Sequence, residues 1–310
     1  MKTGKHLSNI SAGIFALFLL LTVGLACSFN TGTSTSEDTD KKSDTTKKSA
    51  LSNKKPSGAM KKKADTTKNK SGTSEKEDEG DFVPVYSEVE NETFAEFNKK
   101  MKDQKVLEEI TDSLNAALSL PSDIKVTFKD CGQVNAWYQP GEQKITMCYE
   151  FMDMFYQQAL KMGRSEEEAN DMMFGATTFF FLHELGHGLI DVLKLPATGR
   201  EEDSVDQLSA YILMDEEDEF GESAAGSGVL IFHAMAEDQE MSANAFADEH
   251  SLNSQRAYNL ACWMYGKNQE KYSFFVQDGL LTEARAPRCP TEYQKMSSAW
   301  QQLVDPWLKK

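Results

Sequence analysis

The sequence predicts an α+β domain with a small antiparallel sheet at its start and a mostly helical remainder. Two observations carry this. Between residues 82 and 148 the apolar residues fall in short runs bounded by turn signals, and from Tyr149 onward they recur at three- and four-residue spacing. Strands first and helices afterwards indicate an α+β arrangement rather than alternating βαβ units.

The first 80 residues are of another kind. Lys2 and Lys5 precede an almost unbroken apolar run, Ile10 to Ala26, which ends in Gly24-Leu25-Ala26-Cys27. This pattern reads as an export signal over residues 1–27. A retained membrane anchor is the competing reading, because the run is near the lower limit for spanning a bilayer. The small residue before Cys27 favours cleavage. The stretch resembles the lipobox of bacterial lipoproteins, with Gly24 where Leu is usual and Leu25 where a small residue is usual. That resemblance implies a lipid-modified Cys27 and attachment to the bacterial cell envelope; plain secretion is the alternative. Residues 28–80 are rich in Ser, Thr, Lys and Asp and poor in large apolar residues, so they cannot offset their ordering entropy and are expected to form a flexible tether.

The folded domain is expected over residues 81–310. Phe82–Tyr86 reads as a strand, placed at an edge by Pro84. Phe94, Phe97, Met101, Val106, Ile110, Leu114 and Leu118 predict one helix, ended by Pro121. Strands follow at Ile124–Phe128, Val134–Tyr138 and Lys144–Cys148, the last two joined by the turn Gln139-Pro140-Gly141-Glu142. Glu150–Met162 is helical. Ser165 and Glu168 form a capping-box pattern for a helix that runs through Gly175 and ends before Pro196. Thr198 and Glu201 repeat that pattern ahead of a helix over 200–214. Further helices are expected at Ala224–Ala236, Ser242–Tyr265 and Thr291–Val304.

Five cysteines are present, and setting Cys27 aside leaves four. In an exported protein these allow two disulfides with three connectivities, and proximity favours Cys131–Cys148 and Cys262–Cys289.

Residues 1–80 carry 14 Lys/Arg against 9 Asp/Glu, whereas residues 81–310 carry 19 against 40, a net of −21. So acidic a domain repels nucleic acid and anionic lipid, which excludes both as partners of the folded part. It attracts divalent cations and basic substrates.

The chemistry is concentrated at His183-Glu184-Leu185-Gly186-His187. Two imidazoles four residues apart share one helix face and can ligate one Zn²⁺, with Glu184 placed as general base towards a water. A third protein donor is needed. The positions that would carry Gly and a third His in a metzincin are Ile190 and Leu193, which excludes that class. A later carboxylate remains, from Glu201, Glu202, Asp203 or Asp206. Val205, Leu208 and Ile212 mark the buried stripe of the next helix, with Glu202, Asp206, Ser209 and Leu213 as the adjoining row. Glu201 is claimed by the Thr198 capping box and Asp203 falls on the opposite face. Glu202 is therefore the expected ligand, and Asp206 the expected acceptor for a ligand imidazole N–H, with Asp206 or Glu201 as alternatives. Glu-x-x-x-Asp after H-E-x-x-H resembles the gluzincin arrangement of thermolysin-like peptidases.

Asn135-Ala136-Trp137-Tyr138 resembles the edge strand with which those enzymes hold an extended peptide, which implies a substrate-binding role for Asn135 and Ala136. Ala247-Asp248-Glu249-His250 lies on the expected helix, whose buried row includes Phe246 and His250. His250 there can donate to a developing oxyanion; a satisfied core histidine is the alternative. His233 has no such context, and Phe179, Phe180 and Phe181 read as core.

Taken together, Cys131-Gly132, Asn135–Tyr138, Cys148-Tyr149-Glu150, His183–His187, Gly199–Gln207, Asp248–His250 and Cys262-Trp263 resemble a family of exported bacterial proteins described only by an inferred metallopeptidase activity. The resemblance covers residues 81–310 and implies a zincin-like domain. The expected function is a zinc-dependent peptidase acting on peptides or proteins as a monomer. The alternative is a surface lipoprotein that uses the same scaffold for binding without catalysis.

Overall fold

Asp78 is the first residue placed in the computed structural model, which describes residues 78–214 and 219–309. The leader, Cys27, residues 28–77 of the tether and residues 215–218 of the acidic run lie outside the described residues. The chain enters at Gly80, bridged to Leu120, and continues into β1 (Phe82–Pro84). Helices α1 (Glu92–Asp103) and α2 (Val106–Ala117) follow, then β2 (Ile124–Lys129), β3 (Ala136–Gln139) and β4 (Lys144–Cys148). The single helix expected over 94–118 is thus two. Met101 to Val106 is a five-residue step, which leaves the apolar stripe of one helix, and Lys105 takes the left-handed conformation that divides them.

The sheet is mixed, not antiparallel. Its strand order is β1-β2-β4-β3, and only β3 and β4 pair antiparallel. The α1–α2 pair carries the chain back so that β2 runs parallel to β1. Burial explains the rest: Ile145 and Met147 take β4 into the interior beside β2, while β3 is only half-buried and becomes an edge. Pro84 lies on the opposite edge strand, as expected.

The helical part comprises α3 (Tyr149–Lys161), α4 (Glu166–Leu193), α5 (Glu201–Leu213), α6 (Glu219–Glu237), α7 (Ala243–Ala247), α8 (Asn253–Lys267), α9 (Phe274–Gln277) and α10 (Cys289–Val304). α4 carries the H-E-x-x-H residues. Its Ser165–Glu168 capping box forms in both directions. Apolar on nearly all sides, α4 is enclosed by α3, α5, α6 and the β3–β4 hairpin, with Phe179, Phe180 and Phe181 in the core. Among the described residues no helix is long and apolar enough to cross a membrane.

Two expected local structures do not form. α5 begins at Arg200 as N-cap without a side-chain cap, so the Thr198 box is absent and Glu201 is released. The helix expected over 242–265 breaks between α7 and α8. Asp248 is extended and its carboxylate accepts the His250 N–H at 2.9 Å, a local turn that competes with helix. Phe246, expected on a buried row, is 59% exposed. Cys131–Cys148 and Cys262–Cys289 both stand at disulfide distance, the first bracketing the hairpin and the second tying α8 to α10.

α4 and α5 meet at Gly186. A Cβ there would lie 2.7 Å from Val205 Cγ1 and 2.8 Å from Val205 Cβ. Gly186→Ala should therefore cost about 1–3 kcal/mol in denaturant unfolding, the range for overpacking a close contact.

The end of the described chain returns to its start. Ser119 N–H donates to Trp307 O at 2.8 Å, Lys309 N–H to Ala117 O at 2.9 Å, and Lys309 Nζ pairs with Asp78 at 2.7 Å.

Candidate metal centre

Helical spacing puts the His183 and His187 rings 5.0 Å apart on one face of α4. The first turn of α5 crosses in front of them. Glu202 Oε2 lies 3.1 Å from His183 Nε2, and Glu202 Oε1 lies 3.4 Å from His187 Nε2. Of the four acids that open α5, Glu202 alone joins both imidazoles, and the three donor atoms all lie within 4.8 Å of one another. Burial alone would raise the Glu202 carboxyl, but His183, His187 and His250 together hold it far below the usual carboxylate range.

The other ring nitrogen of each imidazole has its own carboxylate. His183 Nδ1 meets Asp206 Oδ1 at 2.8 Å, and His187 Nδ1 meets Glu201 Oε1 at 2.8 Å. A donated Nδ1–H leaves the Nε2 lone pair facing Glu202, the tautomer a metal requires. The role expected for Asp206 has its geometry. Glu201, an alternative third ligand that the Thr198 cap was expected to hold back, is free of that cap and meets the outer nitrogen of His187 instead.

Arg256 was missed as well. It grips Asp206 with Nε to Oδ2 at 2.7 Å and Nη2 to Oδ1 at 2.7 Å, and its guanidinium stacks 4.2 Å from the Phe232 ring centroid. Asp206 is 4% exposed and Arg256 7%. Burial opposes ionisation of Asp206, yet the guanidinium and His183 bring its pKa down to about 2. The apolar spacing of α8 concealed this arginine, since Arg256 sits beside Ala257 and Leu260 on the buried row.

Glu184 is 7% exposed. Burial raises its carboxyl, and the imidazoles with a Tyr138 main-chain hydrogen bond only partly offset that. A carboxyl so raised holds and releases a proton closer to neutral pH than a solvated one. In His187, burial opposes protonation, but Glu202 and Glu201 raise its pKa to about 9.

Metal removal has a pH signature. A pKa raised from 6.5 to about 9 means that, without metal, protonated His187 stabilises the fold fully below pH 6.5 and loses that contribution as pH rises through 9. Chelator-treated protein should lose on the order of 3 kcal/mol across that window, measured as the denaturation midpoint against pH.

The donors face a cleft of about 1100 Å³ that includes Asn135, Ala136 and Tyr138 of the hairpin on one side and Asp248 to His250 on the other. A second cavity of about 420 Å³ adjoins it at His183 and Glu184. Asn135 accepts the Ala136 N–H at 3.0 Å, a local contact, and Tyr138 Oη donates to Asp191 at 2.9 Å across the cleft floor. His250 stands on the segment between α7 and α8, half-exposed. Its Nδ1 lies 3.0 Å from Asp248 and its Nε2 2.9 Å from Glu202. It is neither a helix residue nor a core histidine. His233 is exposed and outside the cleft.

Two nitrogen donors and one carboxylate, with orienting partners behind them, fit a first-row divalent cation and leave room for water and substrate. A centre of this kind beside a buried glutamate, in an α+β domain with an H-E-x-x-H helix, defines the class of protein. The chain belongs to the family described as "Putative metallopeptidase", whose model matches residues 86–304. That membership implies a metal and points to peptidase function. Comparison with curated proteins and with solved structures returns no match.

Proposed function

We propose that this protein is a zinc-dependent peptidase of zincin-like architecture. The observation that carries the reading is the buried Glu184 beside the convergent His183, His187 and Glu202. These three residues would hold the zinc, which when bound supplies Lewis-acid polarisation of the scissile carbonyl and activation of water. The Arg256 guanidinium keeps Asp206 occupied as a partner of His183, which favours Glu202 over Asp206 as third donor.

The chain's own groups then divide the work. Glu184 accepts a proton from the attacking water and passes it to the leaving amine. His250, oriented by Asp248, donates from Nε2 to the carbonyl oxygen as charge develops there. Asn135 and Ala136, at the outer strand of the sheet, hold the extended main chain of a peptide or protein substrate. Asp206 and Glu201 keep the imidazoles in the ligand tautomer. Residues 1–27 direct export, and a lipidated Cys27 with the 28–80 tether fastens a monomeric domain to the bacterial envelope.

Zinc content of the purified protein and cleavage of an unfolded protein substrate test this. About one zinc per chain, with hydrolysis lost to chelator and restored by zinc, is the expected result. Metal-loaded protein that leaves a broad peptide panel intact would overturn the catalytic half and favour the binding scaffold.

A further inference from the structure

We propose that Arg200 is a positioning residue, which holds Asp248–His250 in place over the metal centre from the start of α5. Its activity arm rests on the peptidase reading above; its structural arm does not.

The segment that carries His250 has no hydrophobic anchor. From Ala236 to Gln255 no residue is buried or packed against the hydrophobic core, and α7 within it contributes none. Apolar burial is what ordinarily fixes a chain segment, so polar contacts must fix this one. Apart from Gln239 Oε1, which accepts the Asn253 N–H at 2.9 Å, those that reach another element converge on one place. Arg200 Nη1 lies 3.3 Å from Asp248 O, 3.4 Å from Glu249 O and 3.0 Å from His250 O. Ser251 Oγ donates to Asp203 Oδ1 at 2.7 Å, and His250 Nε2 reaches Glu202 at 2.9 Å. Arg200, Glu202 and Asp203 all belong to the first turn of α5, so the turn that supplies a metal ligand also carries this wall of the cleft.

Three successive carbonyls turned towards one guanidinium nitrogen form a clamp. The guanidinium is exposed, and its charge-assisted contact at 3.0 Å to His250 O is the strongest of the three. All three contacts come from one nitrogen, so the clamp needs charge and donors at that point rather than the two-nitrogen fork, and a lysine ammonium with its three donors can meet part of it. The His250 ring is fixed to the same segment through Asp248, so where its Nε2 stands follows from where Arg200 holds the main chain. Arg200 itself touches no reacting atom in this scheme.

The test uses the full, zinc-loaded chain as wild type, Arg200→Ala, Arg200→Lys, His250→Ala and the Arg200→Ala/His250→Ala double variant. Amide hydrogen exchange should show residues 238–252 losing protection by about tenfold or more in Arg200→Ala, with α4 unchanged and zinc content retained. Arg200→Lys, which keeps a cationic donor, should recover part of it. On a peptide substrate, kcat should fall about 10²-fold in Arg200→Ala at nearly constant KM, close to the His250→Ala loss. The double variant should fall no further than either single one. Unchanged protection of 238–252 in Arg200→Ala, or losses that multiply in the double variant, would overturn the proposal. Wild-type protein without hydrolysis would count against the peptidase reading alone, and the exchange measurement would then decide the clamp.

Discussion

Glu184→Gln should bind metal as the wild type does and hydrolyse peptide bonds about 10³-fold more slowly or worse, because proton transfer by a placed base contributes roughly 10²–10⁴-fold. The amide is nearly isosteric with the carboxylate and retains an acceptor, so donor geometry at His183, His187 and Glu202 is undisturbed. The loss should therefore appear in kcat with KM little changed. Stability gives an independent check on the cause. A carboxyl whose pKa burial has raised is disfavoured as the anion in the folded state, so its removal should leave the protein as stable or more so at neutral pH. Lost hydrolysis with a lowered denaturation midpoint would mean that the glutamate supports the fold. Biological activity unaltered in Glu184→Gln would mean that the scaffold binds and does not cleave.

Arg256→Met should be the most destabilising of the substitutions considered, at about 3–5 kcal/mol, the range for stranding one member of a buried ion pair. Asp206 would keep its charge in a site that is 4% exposed, with only His183 to answer it. Asp206→Asn/Arg256→Met removes both charges and should recover much of the stability. It should not recover metal affinity, because His183 would lose a charged acceptor, a change worth about 10–100-fold. Urea unfolding of the metal-free variants and zinc titration separate the two effects. If the double variant were no more stable than Arg256→Met, packing against Phe232 rather than charge would be the source of the loss.

These expectations trace back unevenly to the sequence. Spacing alone placed His183, Glu184 and His187 on one helix, and the i, i+4 relation of Glu202 and Asp206 placed both acids towards the ligands. Those relations survive because helix geometry is rigid over one turn. What failed depended on contacts across the chain. Arg256 reads as one polar residue in an apolar row, and nothing local marks it as the partner of Asp206, 50 positions earlier. Arg200 reads as the first residue of a helix, whereas its three acceptors lie on a segment that was itself expected to be helical. The sheet was misjudged because strand order follows from burial: β4 goes inside and β3 outside, although the hairpin signal treats them alike. The cysteine pairs followed from proximity, as short closed loops favour.

The clasp between Asp78, Ser119 and Lys309 sets an order of events for the nascent chain. Residues about two hundred positions apart close against each other beside β1, so this flank of the first strand stays unsealed until residues 307–309 have emerged. The ligands on α4 and α5 are already present by then, and a chain delivered from its N-terminal end can gather its metal donors before it can shut its seam. Such distant closure slows folding. Residues 307–309, remote from the metal donors, are thus the stretch whose docking completes this flank of β1.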